Sequence, residues 1–196
     1  MSETKNKLID SAMKHLYQLG YNRFSFTPVA KECGIAKASI HYHFPDKDSL
    51  VLAAIEKYIA GQKIFLEKIK QDKHLSAPEK FNAIFDDAYQ HMIEMNYIGC
   101  LASNLGLEIS ETNPRILEHA QTFLEYKENL IDTILKEGQQ QGVIQKEIDT
   151  IKTAKTILTS IEGGIITSKI SKNADLLANA LSVCRKIVDE IKQKTE

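Results

Sequence analysis

The sequence is poor in residues that staple, span or interrupt a fold. Only three cysteines occur in 196 residues, Cys33, Cys100 and Cys184. An odd number at wide spacing excludes a disulfide framework and a CxxC metal or redox motif. The four prolines all fall at breaks between periodic segments. No run approaches the roughly 18 apolar residues of a membrane-spanning helix. Met1–Lys14 is charged and amphipathic, without the apolar core of a signal peptide. A cytoplasmic protein with no membrane partner is therefore expected. Charge of one sign is missing too: 25 basic against 26 acidic residues leave a formal net charge of −1. That excludes a polybasic tail, and as a whole-chain average it argues against nucleic acid. GxSxG, HExxH and P-loop motifs are absent. Asp86 and Asp87 are adjacent and would leave one helix in different directions. Nothing marks the chain as an enzyme or points to a cofactor. His41 and His43, two apart on a helix, do not face each other as metal ligands would.

What is present is helical period. Apolar residues recur at three and four along almost the whole chain, which predicts an all-α fold of about nine helices. Leu8, Ile9, Ala12, Met13, Leu16 and Leu19 form one face of a first helix over Thr4–Leu19, with Gly20 as its stop. A short second helix spans Phe26–Cys33, with Ser25 or Thr27 as cap and Pro28 in its first turn. Gly34 breaks it. A third covers Lys37–Phe44, and Asp46 caps a long fourth. Ser76-Ala77-Pro78-Glu79 is a capping box opening a fifth, to about Asn96. A sixth covers Gly99–Ser110, and Asn113-Pro114 opens a seventh that stops near Gly142. Asp149 and Asn173 are expected to cap the last two. Short polar links between them are bundle behaviour.

The segment that carries chemistry is Ser25–Lys47. Two short helices are joined by Gly34-Ile35-Ala36, with Ala30, Ile35 and Ile40 placed to pack them together. This is a helix-turn-helix layout, whose second helix lies in a major groove of DNA. Its outer face carries Lys37, Ser39, Tyr42 and His43, polar groups able to reach base edges. Ser25 and Thr27 begin the preceding helix, and Lys47 begins the next, where phosphate can be held.

The run from Gly20-Tyr21, through Ser25-Phe26-Thr27-Pro28-Val29-Ala30-Lys31-Glu32-Cys33-Gly34-Ile35-Ala36-Lys37-Ala38-Ser39-Ile40-His41-Tyr42-His43-Phe44, to Lys47 and Leu50 resembles the N-terminal domain of TetR-type transcriptional regulators. The resemblance covers about the first 60 residues. It implies a DNA-binding domain over 1–48 and an effector-binding and dimerisation domain over 49–196. It further implies a homodimer that represses from a palindromic double-stranded operator and lets go when a small-molecule effector enters the second domain. Two positions depart from the family pattern. His41 stands where tyrosine is usual and commonly contacts phosphate; histidine there would add pH sensitivity. Ala38 stands where glycine is frequent, and its methyl can touch a thymine methyl.

Gly99-Cys100-Leu101-Ala102-Ser103-Asn104-Leu105-Gly106-Leu107-Glu108 resembles a GCLxxNxxxE segment of one broad TetR subgroup. Asn104 and Glu108 would share a helix face with Cys100 and line a pocket. His91, Met92, Met95 and Phe65 read equally as pocket lining or plain core. Phe123 and Glu162 complete the effector-site candidates. Cys100 carries an alternative function, a redox- or electrophile-sensing regulator with a thiol activated at a helix N-terminus; the competing reading is a small buried hydrophobe. A helical small-molecule enzyme or carrier is the alternative from another class.

Leu177, Leu181, Cys184, Val188 and Ile191 are spaced as a coiled-coil seam, and Ile151, Ala154, Leu158, Ile161 and Ile165 repeat it in the helix before. These ten residues are the expected dimer interface, a four-helix bundle across a twofold axis. Gly163-Gly164 within a helix costs about 1 kcal/mol per glycine relative to alanine, which calls for close backbone packing or a neighbouring ligand. Counted by region, the net charge changes meaning. Residues 1–50 hold seven basic groups (Lys5, Lys7, Lys14, Arg23, Lys31, Lys37, Lys47) and five acidic (Glu3, Asp10, Glu32, Asp46, Asp48). The positive excess lies where the motif needs it.

Overall fold

A computed structural model describes residues 3–109 and 113–193. Among them are nine α-helices: α1 (Glu3–Arg23), α2 (Phe26–Cys33), α3 (Lys37–His43), α4 (Lys47–Gln71), α5 (Ala77–Glu94), α6 (Leu101–Ile109), α7 (Pro114–Gln140), α8 (Thr150–Ser171) and α9 (Asp175–Glu190). One isolated antiparallel bridge joins Ile144 to Lys192. The predicted end of the sixth helix at Ser110 lies outside the described residues.

Much of the polar punctuation acts as the sequence suggests, with two exceptions: Ser25 stands at the N-cap of α2 without a side-chain capping bond, and the N-cap of α9 is Ala174, one residue after Asn173. Gly20 (φ 70, ψ 178) breaks α1, and one further helical turn follows to Arg23. Gly34 (φ 67, ψ 29) ends α2 in the left-handed region, where a side chain would be strained. The Asp46 carboxylate accepts from the Ser49 amide at 2.7 Å at the start of α4. Glu79 accepts from the Ser76 amide at 2.7 Å. The Asn113 side chain accepts from Ile116 N at 3.3 Å, and that of Asp149 accepts from Lys152 N at 3.0 Å. Asn173 accepts from Asp175 N at 2.9 Å. Each satisfies an amide that a helix end would otherwise leave bare.

The described residues pack as two compact units: residues 3–63 with 100–109 and 113–123, and residues 64–99 with 124–193. This division by packing differs from the expected boundary at residue 48, because α6 and the start of α7 pack with the first helices. The first unit has Leu8, Ile9, Ala12, Val29, Ile40, Leu50, Ile55, Leu101, Leu105 and Ile116 in its interior. The second has a core built on Phe81, Phe85, Met92, Ile134, Leu135, Ile144, Ile157, Leu177 and Cys184.

The dimer seam requires correction. Leu177, Leu181, Cys184 and Val188 are at most 3% exposed within one chain. Ala154, Leu158 and Ile161 are buried beside them, and Ile165 and Ile191 pack against the same core. The heptad-like spacing therefore joins α9 to α8 and α5 inside one chain. Of the ten residues, Ile151 alone is exposed, at 51%. Gly164 reflects this intramolecular contact: a Cβ there would lie 2.8 Å from Ala180 Cβ and 3.0 Å from Leu177 Cδ1. Gly163 faces open space.

Candidate nucleic-acid interface and effector-site residues

The short helices α2 and α3 are held at their turn by backbone geometry and packing. Ile35 N donates to Ala30 O at 3.1 Å across the Gly34 bend. Val29 and Ile40 are fully buried, which fixes the faces left outside. Lys37, Ala38, Ser39, His41 and Tyr42 are exposed on α3, as are Ser25 and Thr27 at the start of α2. Tyr42 is 87% exposed. A large aromatic ring so displayed is not part of the core; among the described residues it makes an edge contact with His43, ring centroids 5.1 Å apart. His43 itself is half-buried.

His41 packs its ring against Phe26 (centroids 4.9 Å apart), with Nδ1 3.1 Å from the Pro45 carbonyl oxygen. With Nδ1–H donating there, the neutral ring offers Nε2 as an acceptor; a phosphate contact needs it protonated. Lys47, the first residue of α4, stands over the Tyr21 ring with Nζ 4.1 Å from its centroid. Burial pushes the Lys47 ammonium below its ordinary value, opposed by the Asp48 and Glu108 carboxylates. The Tyr21 hydroxyl donates to Asp48 at 2.5 Å, and the Asn113 amide donates to the other Asp48 oxygen at 2.7 Å. This surface offers hydroxyls, an aromatic ring and cations on one two-helix motif, the chemistry of backbone anchoring beside base reading.

The effector-site candidates fall into both units. In the first, Cys100 is 6% exposed and accepts a hydrogen bond from the Tyr58 hydroxyl at 3.4 Å. Phe123 is buried edge-on to Tyr58. Tyr17 meets the other side of Tyr58, and burial raises its hydroxyl above the ordinary range. The thiol is thus shielded and packed among aromatic rings, which favours the packing reading of Cys100. Asn104 is half-buried on α6. Glu108, expected beside it on a pocket wall, instead turns to α1 and accepts from Tyr21 N and Asn22 N, both at 2.7 Å. In the second unit, Met92 is buried in the core and Phe65 packs against it. Met95 ends α5, and His91 presents a buried Nε2 with no hydrogen-bond partner among the described residues. Glu162 pairs with Lys127, both side chains about 15% exposed. Sequence reading missed Lys127, Tyr58 and Tyr17. Their partners, Glu162 for Lys127 and Cys100 for Tyr58, lie 35 and 42 residues away, and Tyr17 meets Tyr58 across 41 residues, so local pattern does not join them.

The fold and the exposed second helix of the motif define a helix-turn-helix transcriptional regulator. Residues 8–54 match the family model described as bacterial regulatory proteins, tetR family, and residues 77–184 match that of the tetracyclin repressor-like C-terminal domain. The chain belongs to the tetR family. It is 24% identical over 191 residues to the fatty acid metabolism regulator protein of Bacillus subtilis (strain 168), covering 96% of this chain and 95% of that protein. A TetR transcriptional regulator from Chloroflexus aurantiacus J-10-FL has the same fold, with a TM-score of 0.88 at 21% identity over 98% of each chain. The transcriptional regulator FadR from Bacillus subtilis, solved in complex with stearoyl-CoA, superposes with a TM-score of 0.75 at 23% identity, over 95% of this chain and 98% of that one. Among the described residues, no helix is long and apolar enough to cross a membrane.

Proposed function

We propose that this DNA-binding regulator acts as a homodimeric repressor on a palindromic operator and is released by a small-molecule effector. The observation that carries the reading is the display of α3: Tyr42 is 87% exposed, while Ile40 on the opposite face is fully buried. Two such helices must stand about 34–36 Å apart to enter successive major grooves, which a twofold dimer achieves. Outside the buried seam, a second apolar stripe is left on each of the last two helices: Ile166 and Ile170 on α8, and Leu176, Val183 and Ile187 on α9. Ile170 is 76% exposed and Val183 52%. These outer stripes replace the buried seam as the dimer interface in this proposal.

An effector needs only a modest preference for the non-binding arrangement. A difference of about 1–3 kcal/mol shifts DNA affinity by roughly 5–150-fold. Similarity to a fatty acid metabolism regulator, and to one that holds stearoyl-CoA, makes a long-chain acyl-CoA the first ligand class to test. The test of the DNA reading is in vitro selection of bound duplexes, followed by anisotropy with the selected site. Tyr42→Ala should weaken binding and blur sequence preference. Lys47→Ala should weaken all sequences alike and lower the salt dependence by about one phosphate contact. Wild-type affinity from both variants would overturn it. Acyl-CoA added to the preformed complex should then raise anisotropy-derived Kd; no change would remove that ligand class.

A further inference from the structure

The break in α1 is built around a carboxylate from a helix 87 residues away. Gly20 takes φ 70, which frees the amides of Tyr21 and Asn22 from the helical ladder. Both are received by Glu108 of α6, one on each oxygen, at 2.7 Å. The approach is so close that a Cβ at Gly20 would lie 2.5 Å from Glu108 Oε2. The residue so anchored, Tyr21, is the one whose ring lies under the Lys47 ammonium and whose hydroxyl is held by Asp48. Two charge-assisted bonds to backbone amides are strong and directional, and a cation about 4 Å from a ring is fixed by it.

We propose that Glu108 is a positioning residue for DNA binding: by clamping the α1 break it sets the Tyr21 ring, which aims Lys47 at a phosphate. The proposal rests on the reading of Lys47 as a phosphate contact. Its sign is informative, because Glu108 is also a negative charge near that cation. Acting as bare charge, it would oppose DNA, and neutralising it would tighten binding. Acting as a clamp, it helps DNA, and neutralising it weakens binding.

The test is a double-mutant cycle on the full chain, reading Kd and the slope of log Kd against log salt on the selected duplex. Glu108→Gln keeps shape but loses the charge-assisted bonds. It should weaken binding roughly fivefold or more and lower the slope by about 0.9, one phosphate's share. Combined with Lys47→Ala, it should add nothing beyond Lys47→Ala alone. Tyr21→Leu, which leaves the carboxylate and its amides in place, should show the same loss of slope. A variant that merely folds less well reduces the active fraction and leaves the slope unchanged, so slope separates positioning from stability. Tighter or unchanged binding by Glu108→Gln, an unchanged slope, or additivity with Lys47→Ala would overturn the proposal while leaving Lys47 as a phosphate contact. An inert Lys47→Ala would overturn both.

Discussion

Glutamate substitutions two residues apart on α9 should have opposite consequences. Leu181 is 3% exposed and sits in the core shared by α5, α8 and α9; Val183 is 52% exposed on the outer stripe. Truncating a buried leucine to alanine costs about 2–5 kcal/mol. Glutamate at that site adds the burial of an unpaired carboxyl, itself several kcal/mol or a forced protonation. Against a total stability of about 5–15 kcal/mol, that sum removes most or all of the folded state. Glutamate at Val183 buries nothing within the chain, and a surface change of this kind is worth about ±0.5 kcal/mol. In the proposed dimer it would place two like charges across the twofold axis. Circular dichroism and sedimentation velocity distinguish the cases. Leu181→Glu should lose helical signal and cooperative melting. Val183→Glu should keep its helical signal and sediment as a monomer. A cooperatively folded Leu181→Glu monomer would refute the assignment of that seam to the chain's own core. A dimeric Val183→Glu would move the interface elsewhere.

Gly164→Ala gains about 1 kcal/mol of helix propensity but forces a methyl within 2.8 Å of Ala180, where overpacking costs about 1–3 kcal/mol. A lower Tm is expected, and a raised one would mean the α8–α9 contact is loose. Glu79 is held below its ordinary value of 4.5 by bonds from the Ser76 hydroxyl and amide, so its stabilisation is present above that pH and fades as pH falls through the depressed value. The Tm deficit of Glu79→Gln should accordingly be largest near neutrality and shrink in acid; a pH-independent deficit would break the link. Among the thiols, Cys33 is half-exposed and Cys100 and Cys184 are buried. Maleimide labelling followed by peptide mass mapping should modify Cys33 first. Equal labelling of Cys100 would revive a sensing role for it.

Much of the local structure was legible because its causes are local. The Phe26–Cys33 helix and its Gly34 stop follow from a first-turn proline and a left-handed glycine, and both stand in the structure as read. The same holds for Asp46, Ser76 with Glu79, and Asp149, whose bonds reach only three residues along the chain. The effector-site candidates were harder. Glu108 and Asn104 are four apart and share a helix face, but spacing does not say what the face meets. The partners of Glu108 lie 86 and 87 residues away. The Lys127–Glu162 pair closes over 35 residues, so the sequence offered Glu162 as an effector-site candidate without showing its partner.

The sequence by itself determined about nine helices, many of their ends, and the helix-turn-helix with Tyr42 on its outer face and Lys47 at the start of the next helix, because hydrophobic period and capping act over one or two turns. It also determined that positive charge gathers in the first 50 residues, a sum needing no coordinates. Tertiary structure decided which surface each apolar stripe covers. A four-three spacing describes a seam equally well within a chain or between chains, and only the burial of Leu177, Leu181, Cys184 and Val188 shows that α9 spends it on its own core. Tertiary structure likewise decided that Glu108 clamps the end of α1, since a bond across 87 residues depends on the packing of α6 beside α1 and leaves no trace in local pattern.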